Sequence, residues 1–157
     1  MDTIEKARLN DLLTRAEFTK MISQYAINIL GKTPNINKDC SNFEQSIQSY
    51  KNSDLYNAMI TSCQLEIMGV NPDRSVITDF MPDNFLERRD SGTVLSRLLW
   101  GTKNENEGKE NKYWNLHLQA LKNAEIMRVI SQPEMLELRG NVLLMLWNSV
   151  KKYKDKP

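Results

Sequence analysis

Apolar residues recur along this chain at spacings of three and four, in five stretches, most of them closed by Gly or Pro. That periodicity predicts an all-α fold. The first stretch opens at Thr14, where Phe18, Met21, Ile22, Tyr25 and Ile29 share one helical face before Gly31 and Pro34. The second covers about 53–68, with Ser53 as N-cap, a stripe of Leu55, Met59, Ile60, Cys63 and Ile67, and Gly69 after it. A third spans about 87–100, with Val94, Leu95, Leu98 and Leu99 apolar and Gly101 closing it. The fourth, about 113–130, carries Trp114, Leu118, Leu121 and Ile126 and stops before Pro133; the fifth, about 134–153, carries Leu138, Val142, Met145, Leu146 and Val150. Segments 32–51 and 70–85 read as loops, and 101–112 as a solvated linker of alternating charge.

Lys and Arg total 21 and Asp and Glu 20, so no global field draws in nucleic acid or an anionic membrane. The longest apolar run, Val142–Trp147, is far too short for a membrane span. The 157 residues suit one domain, 1–157. Met1–Lys6 has neither the basic start nor the apolar stretch of a secretory leader. Two cysteines, Cys40 and Cys63, read either as two buried thiols or as one disulfide. One His and no Cys-x-x-Cys pair argue against zinc, and no metal or other cofactor is expected. No phosphate loop or nucleophile elbow occurs, and His117 stands without a recognisable catalytic partner, so the chain does not read as an enzyme. Trp100, Trp114 and Trp147 occupy core positions, with Trp100, beside Gly101, the most exposed of the three.

The chain also repeats itself. A shift of 73 places Arg15 on Arg88, Met21 on Val94 and Ile22 on Leu95; a shift of 51 places Pro82 on Pro133, Arg88 on Arg139 and Leu95 on Leu146. A shift of 59 places Glu66-Ile67-Met68 on Glu125-Ile126-Met127. Three units follow, about 13–31, 40–101 and 111–152, each a short helix, a loop and an arginine-led helix, with the first lacking its short helix. Thr14 and Glu17 fit a capping box. Arg15 does not: a cation in the first turn opposes the helix dipole and costs a few tenths of a kcal/mol. Arg88 and Arg89 repeat that placement, which points to an acidic partner. Either an internal carboxylate or an external anion held with free helix N–H groups fits.

Leu13-Thr14-Arg15-Ala16-Glu17-Phe18 resembles the helix start of S-layer homology (SLH) domains. Phe80-Met81-Pro82, Phe43, Leu55 and Trp114 resemble other positions of that repeat, while Glu87-Arg88-Arg89-Asp90 and Leu138-Arg139-Gly140-Asn141 are degenerate versions of its motif. The likeness covers about 13–150. It implies a non-catalytic module of an exported protein, with the arginine-led helices as a central three-helix bundle and shorter helices around it. It implies attachment to the cell envelope through acidic cell-wall polysaccharide, bound in grooves between repeats. By position, Arg15, Arg88, Arg89 and Arg139 fall to the ligand, and Glu17 and Asp90 orient them. The parent polypeptide or envelope proteins are the further partners implied, and an extracellular, cell-surface location favours a Cys40–Cys63 disulfide. The rival reading is a scaffold or self-associating module of the same fold whose arginines are structural.

Overall fold

The computed structural model describes residues 7–106 and 112–154, with the side chains of 153 and 154 excepted. The reading of Met1–Lys6 and the middle of the 101–112 linker lie outside these residues. The described chain is helical, without strands: α1 (Arg15–Asn28), a 3-10 helix (Ser41–Tyr50), α2 (Asp54–Gln64), α3 (Arg88–Trp100), α4 (Asn115–Asn123) and α5 (Arg139–Lys154). No helix among the described residues is long and apolar enough to cross a membrane.

The 3-10 helix replaces the loop expected over 32–51. Its sequence is polar, and only Phe43 and Ile47 are buried, one turn apart. With Tyr50, partly buried against the core, they stand at i, i+4 and i+7, a helical spacing hidden among polar residues. Phe43 packs on Phe80 with ring centroids 5.0 Å apart, and Ser46 Oγ accepts the Phe80 N–H at 2.9 Å. Helices α2 and α4 are shorter than their periodicity implies, for one shared reason. Glu66 and Glu125, 59 residues apart, both take a left-handed backbone with φ 59°. After each, an isoleucine N–H reaches back across the last turn, Ile67 to the Ser62 carbonyl and Ile126 to that of Leu121. This Schellman geometry ends the helix and folds Ile67 and Ile126 into the core beyond it. Helix α5 begins five residues later than expected, because 136–138 are extended.

Those extended residues belong to a closed backbone ring. The N–H of Leu86 donates to Leu13 O, that of Glu137 to Leu86 O and that of Leu13 to Glu137 O, at 2.8, 2.8 and 3.4 Å. One step on, Arg15, Arg88 and Arg139 N–H groups donate to the carbonyls of Asn84, Met135 and Asp11, and those of Ala16, Arg89 and Gly140 to Pro82, Pro133 and Leu9. Every bond in a set is related to the next by the 73- and 51-residue offsets of the sequence. Side chains alternate along the ring: Leu13, Leu86 and Glu137 point inward, while Leu12, Phe85 and Leu136 are exposed.

Helix α2 packs along α1, α4 along α3, and the 3-10 helix against α2. Gly92 sets the α3–α4 distance: a Cβ there would stand 2.2 Å from a Leu118 methyl, in a buried contact. The apolar core runs through all of these elements, and each fully buried Phe or Leu contributes roughly 2–3 kcal/mol. Met145 fills it as expected, with Met127 also buried, but Trp147 is 58% exposed and Trp100 is partly buried against the core, the reverse of the order anticipated for them.

Cys40 and Cys63 form a disulfide with Cα atoms 6.2 Å apart, tying the start of the 3-10 helix to α2 across 23 residues. Closing a loop of that length stabilises by about 3 kcal/mol through the unfolded chain. Reduction, or Cys40→Ser with Cys63→Ser, is expected to cost that amount, read as a drop in the urea midpoint with an unchanged helical spectrum. A midpoint that does not move would contradict it.

Candidate functional site

The three arginine-led helices start where the ring closes, so their first N–H groups are used there. The amides of Arg15 and Ala16, of Arg88 and Arg89, and of Arg139 and Gly140 all donate to carbonyls of another segment. Glu17 N–H donates to Thr14 Oγ1 at 3.2 Å, the cap expected. The Glu17 carboxylate does not complete the capping box; it meets Arg139 Nη2 at 3.3 Å. The free amide donors that the sequence reading gave to a ligand are therefore occupied, and anion recognition at these helix starts falls to side chains alone.

The guanidinium groups are paired in a cyclic order. Arg15 Nη1 contacts Asp90 Oδ2 at 3.2 Å, and Arg139 contacts Glu17, the residue that stands where Asp90 does in the repeat. For Arg88 the same position holds Asn141, which has no charge. Instead Arg88 Nε pairs with Glu137 at 2.6 Å, both groups buried, and its Nη1 donates to Val129 O. Glu137 occupies the inward ring position filled by Leu13 and Leu86 elsewhere. The acid has moved from one position of the unit to another, and the arginine has kept its partner.

Arg15, Arg89 and Asp90 share one open cleft of about 490 Å³ between the starts of α1 and α3, closed on one side by 68–72 and on another by 77–85. Arg15 Nε also donates to Phe80 O at 2.9 Å, and its guanidinium lies 5.6 Å from the Phe80 ring centre. Tyr113 O–H donates to the other Asp90 oxygen at 2.5 Å; burial, then the Asp90 charge, push the phenol well above its ordinary value. Arg89 stacks over Trp114 at 5.2 Å. Its Nε pairs with Glu87 Oε2 at 2.5 Å and its Nη1 lies 3.6 Å from the exposed Glu134 carboxylate. Arg15, Arg89 and Arg97 face Asp79, Glu87 and Asp90, three charges of each sign. A cleft so balanced has no pull on a polyanion as such and suits a mainly neutral ligand with one acidic group.

Arg88 lies in a second, smaller cleft of about 210 Å³ with Glu137 and Asn141, lined mostly by apolar side chains such as Met127, Val129 and Leu144. Glu17 and Arg139 lie at the third junction. The structure thus distributes the six expected residues over three places and gathers Arg15, Arg89 and Asp90 into one. Sequence reasoning missed Phe85 and Tyr113, which border that cleft from outside the motif, and Glu87, which belongs to the motif but was given no role.

A second polar cluster adjoins that cleft through Arg97. Glu105, read as part of the solvated linker, has a side chain only 4% exposed, which accepts from Arg97 and Arg74 at 2.6 Å each. His117 Nε2 lies 3.3 Å from the same carboxylate and Nδ1 2.8 Å from Ser96 Oγ. Asn104 donates to Ser96 Oγ in turn, so the ring is fixed at both nitrogens. Burial raises the Glu105 carboxyl, but hydrogen bonds from His117, Arg97 and Arg74 outweigh it and hold the group at about 2. The acid–His–Ser order resembles a catalytic triad, but Ser96 and His117 are completely buried, so this arrangement offers substrate no nucleophile. Among the described residues no group of three or more His, Cys, Asp or Glu is placed to hold a metal. Comparison with known proteins adds no relative: no family model, curated protein or solved structure matches the chain.

Proposed function

We propose that this chain is a non-catalytic, SLH-like attachment module of the bacterial cell envelope. Its three arginine-led helices form the centre, its shorter helices the periphery, and its cleft between the starts of α1 and α3 takes a cell-wall polysaccharide with a single acidic group. The observation that carries the reading is that cleft: it opens between two units and holds Arg15, Arg89 and Asp90 together. The Arg89 side chain is more open than that of Arg15, 26% against 12% exposed, so the acidic group of the sugar meets Arg89 first and takes the place of the exposed Glu134, while Phe85, 48% exposed, offers a ring for stacking. The disulfide is compatible with an exported, cell-surface protein.

Purified envelope polysaccharide, titrated calorimetrically, tests it. Arg89→Ala and Phe85→Ala are each expected to weaken binding about tenfold or more without changing the melting temperature, as for contact residues in the middle of a site. Absence of binding by the wild-type chain would sink the sugar reading.

A second reading has its own support. All three motif arginines are paired with carboxylates of the chain itself, at 2.6 to 3.3 Å. In that case the arginines are clasps between units, and the module is a protein scaffold. No binding of the polysaccharide by the wild-type chain, together with a mass that rises with concentration in light scattering, would favour it.

A further inference from the structure

We propose that the outward face of α5 is a docking site for an acidic, amphipathic helix of a partner polypeptide. The offsets that relate the ring also relate the three helices position by position. Thr19, Gly92 and Leu143 correspond, and so do Ser23, Ser96 and Trp147. On α1 and α3 these residues are small and buried, and a shorter helix packs along each: α2 on α1, and α4 on α3 with Leu118 set into Gly92 and His117 bonded to Ser96. Along α5 no described helix packs in that way. Its corresponding residues are large, apolar and open, Leu143 43% exposed and Trp147 58%, and Leu144 next to Leu143 is 56% exposed. The face has the place of a covered helix face, and side chains that water disfavours.

Charge indicates what covers it. Beside the stripe, a groove of about 540 Å³ between the ends of α4 and α5 holds Lys122, Arg128, Lys151 and Lys152 against the single carboxylate of Glu125. Lys151 Nζ stands over the Trp147 ring at 5.4 Å, so cationic and apolar parts are continuous. Among the described residues of the groove, the α5 C-terminus offsets about half a charge and the Glu125–Lys152 pair one more, so cations outnumber carboxylates there. The fitting partner is therefore a helix of about the length of α2 or α4. It presents small residues to Leu143 and Trp147, which protrude where Gly92 recedes, and carboxylates to Lys122, Arg128 and Lys151.

Two synthetic helical peptides of equal length test this, sharing an Ala/Leu stripe but flanked by Glu in one and Lys in the other. Tryptophan emission of the full chain is the readout, with calorimetry beside it. The Glu peptide is expected to bind about tenfold or more tightly than the Lys peptide, and more weakly at high salt. Leu143→Ser with Trp147→Ser should abolish this binding with the melting curve unchanged, and Lys122→Gln with Lys151→Gln should flatten the salt dependence. Equal affinity for the two peptides, or no saturable binding of the Glu peptide, overturns the proposal. So does a concentration-dependent increase in mass that Leu143→Ser with Trp147→Ser removes, since the occupant is then a second copy. Binding to phosphatidylglycerol vesicles that the Glu peptide fails to displace overturns it in favour of a lipid surface.

Discussion

Glu137→Leu is expected to cost about 3–5 kcal/mol of stability, measured by chemical denaturation, although leucine fits the site. Leu13 and Leu86 fill the corresponding inward positions with no exposure at all, so shape is not the problem. The cost arises at Arg88. Its guanidinium is buried and pairs with Glu137 at 2.6 Å; without that carboxylate it keeps only the Val129 carbonyl. Removing one partner of a buried pair leaves the other charge desolvated and unmatched, which costs several kcal/mol. Asn141→Asp is then expected to recover at least half of the loss in the Glu137→Leu background. It restores an acid at the position from which Asp90 and Glu17 serve Arg15 and Arg139, and Asn141 already lines the same cleft as Arg88. A Glu137→Leu variant within about 1 kcal/mol of wild type, or an Asn141→Asp change that recovers nothing, would refute the exchange of acids between positions.

Glu105→Gln should cost about 3 kcal/mol and take with it part of the acid sensitivity of the fold. Glu105 neutralises two arginines from different parts of the chain, Arg74 in the loop after α2 and Arg97 in α3, and receives His117 from α4. Glutamine keeps the size but removes the charge, leaving Arg97 buried beside a neutral amide. The pH dependence follows from the depressed carboxyl. Folding lowers it from an ordinary 4.5 to about 2, so its contribution is complete above about pH 4.5 and is lost as pH falls through 2. The stability gap between wild type and Glu105→Gln should therefore be widest near neutrality and narrow steadily between pH 4.5 and 2. A gap constant over that range would show that the carboxylate is not what holds the three elements.

The pairings behind these two results explain why some features were legible and others were not. Helix content, the boundaries of α1 and α3, the Thr14 cap and the repeat offsets come from patterns within a few residues or from direct self-comparison. They survive because an apolar stripe has one way to be buried and a cap serves its own helix. The 3-10 helix escaped notice because its core contacts, Phe43, Ile47 and Tyr50, stand among polar residues whose composition reads as loop. Glu105 was taken for a solvated charge because nothing in 101–106 distinguishes an acid that meets Arg74 and Arg97 from one that meets water. Trp147 was placed inside because a helix of period 3.6 does not reveal whether a neighbour exists to cover it.

By itself, the sequence determined an all-α chain with arginines stationed at three helix starts and an acidic partner for each, since local geometry makes a cation there unfavourable unless something negative answers it. Only the tertiary structure decided what answers. The carboxylates come from residues 49 to 122 positions away, and the helix amides are satisfied by carbonyls across the ring. Coulomb attraction depends on distance in space, and closure of the ring brings those groups within about 3 Å while leaving one cleft open beside them.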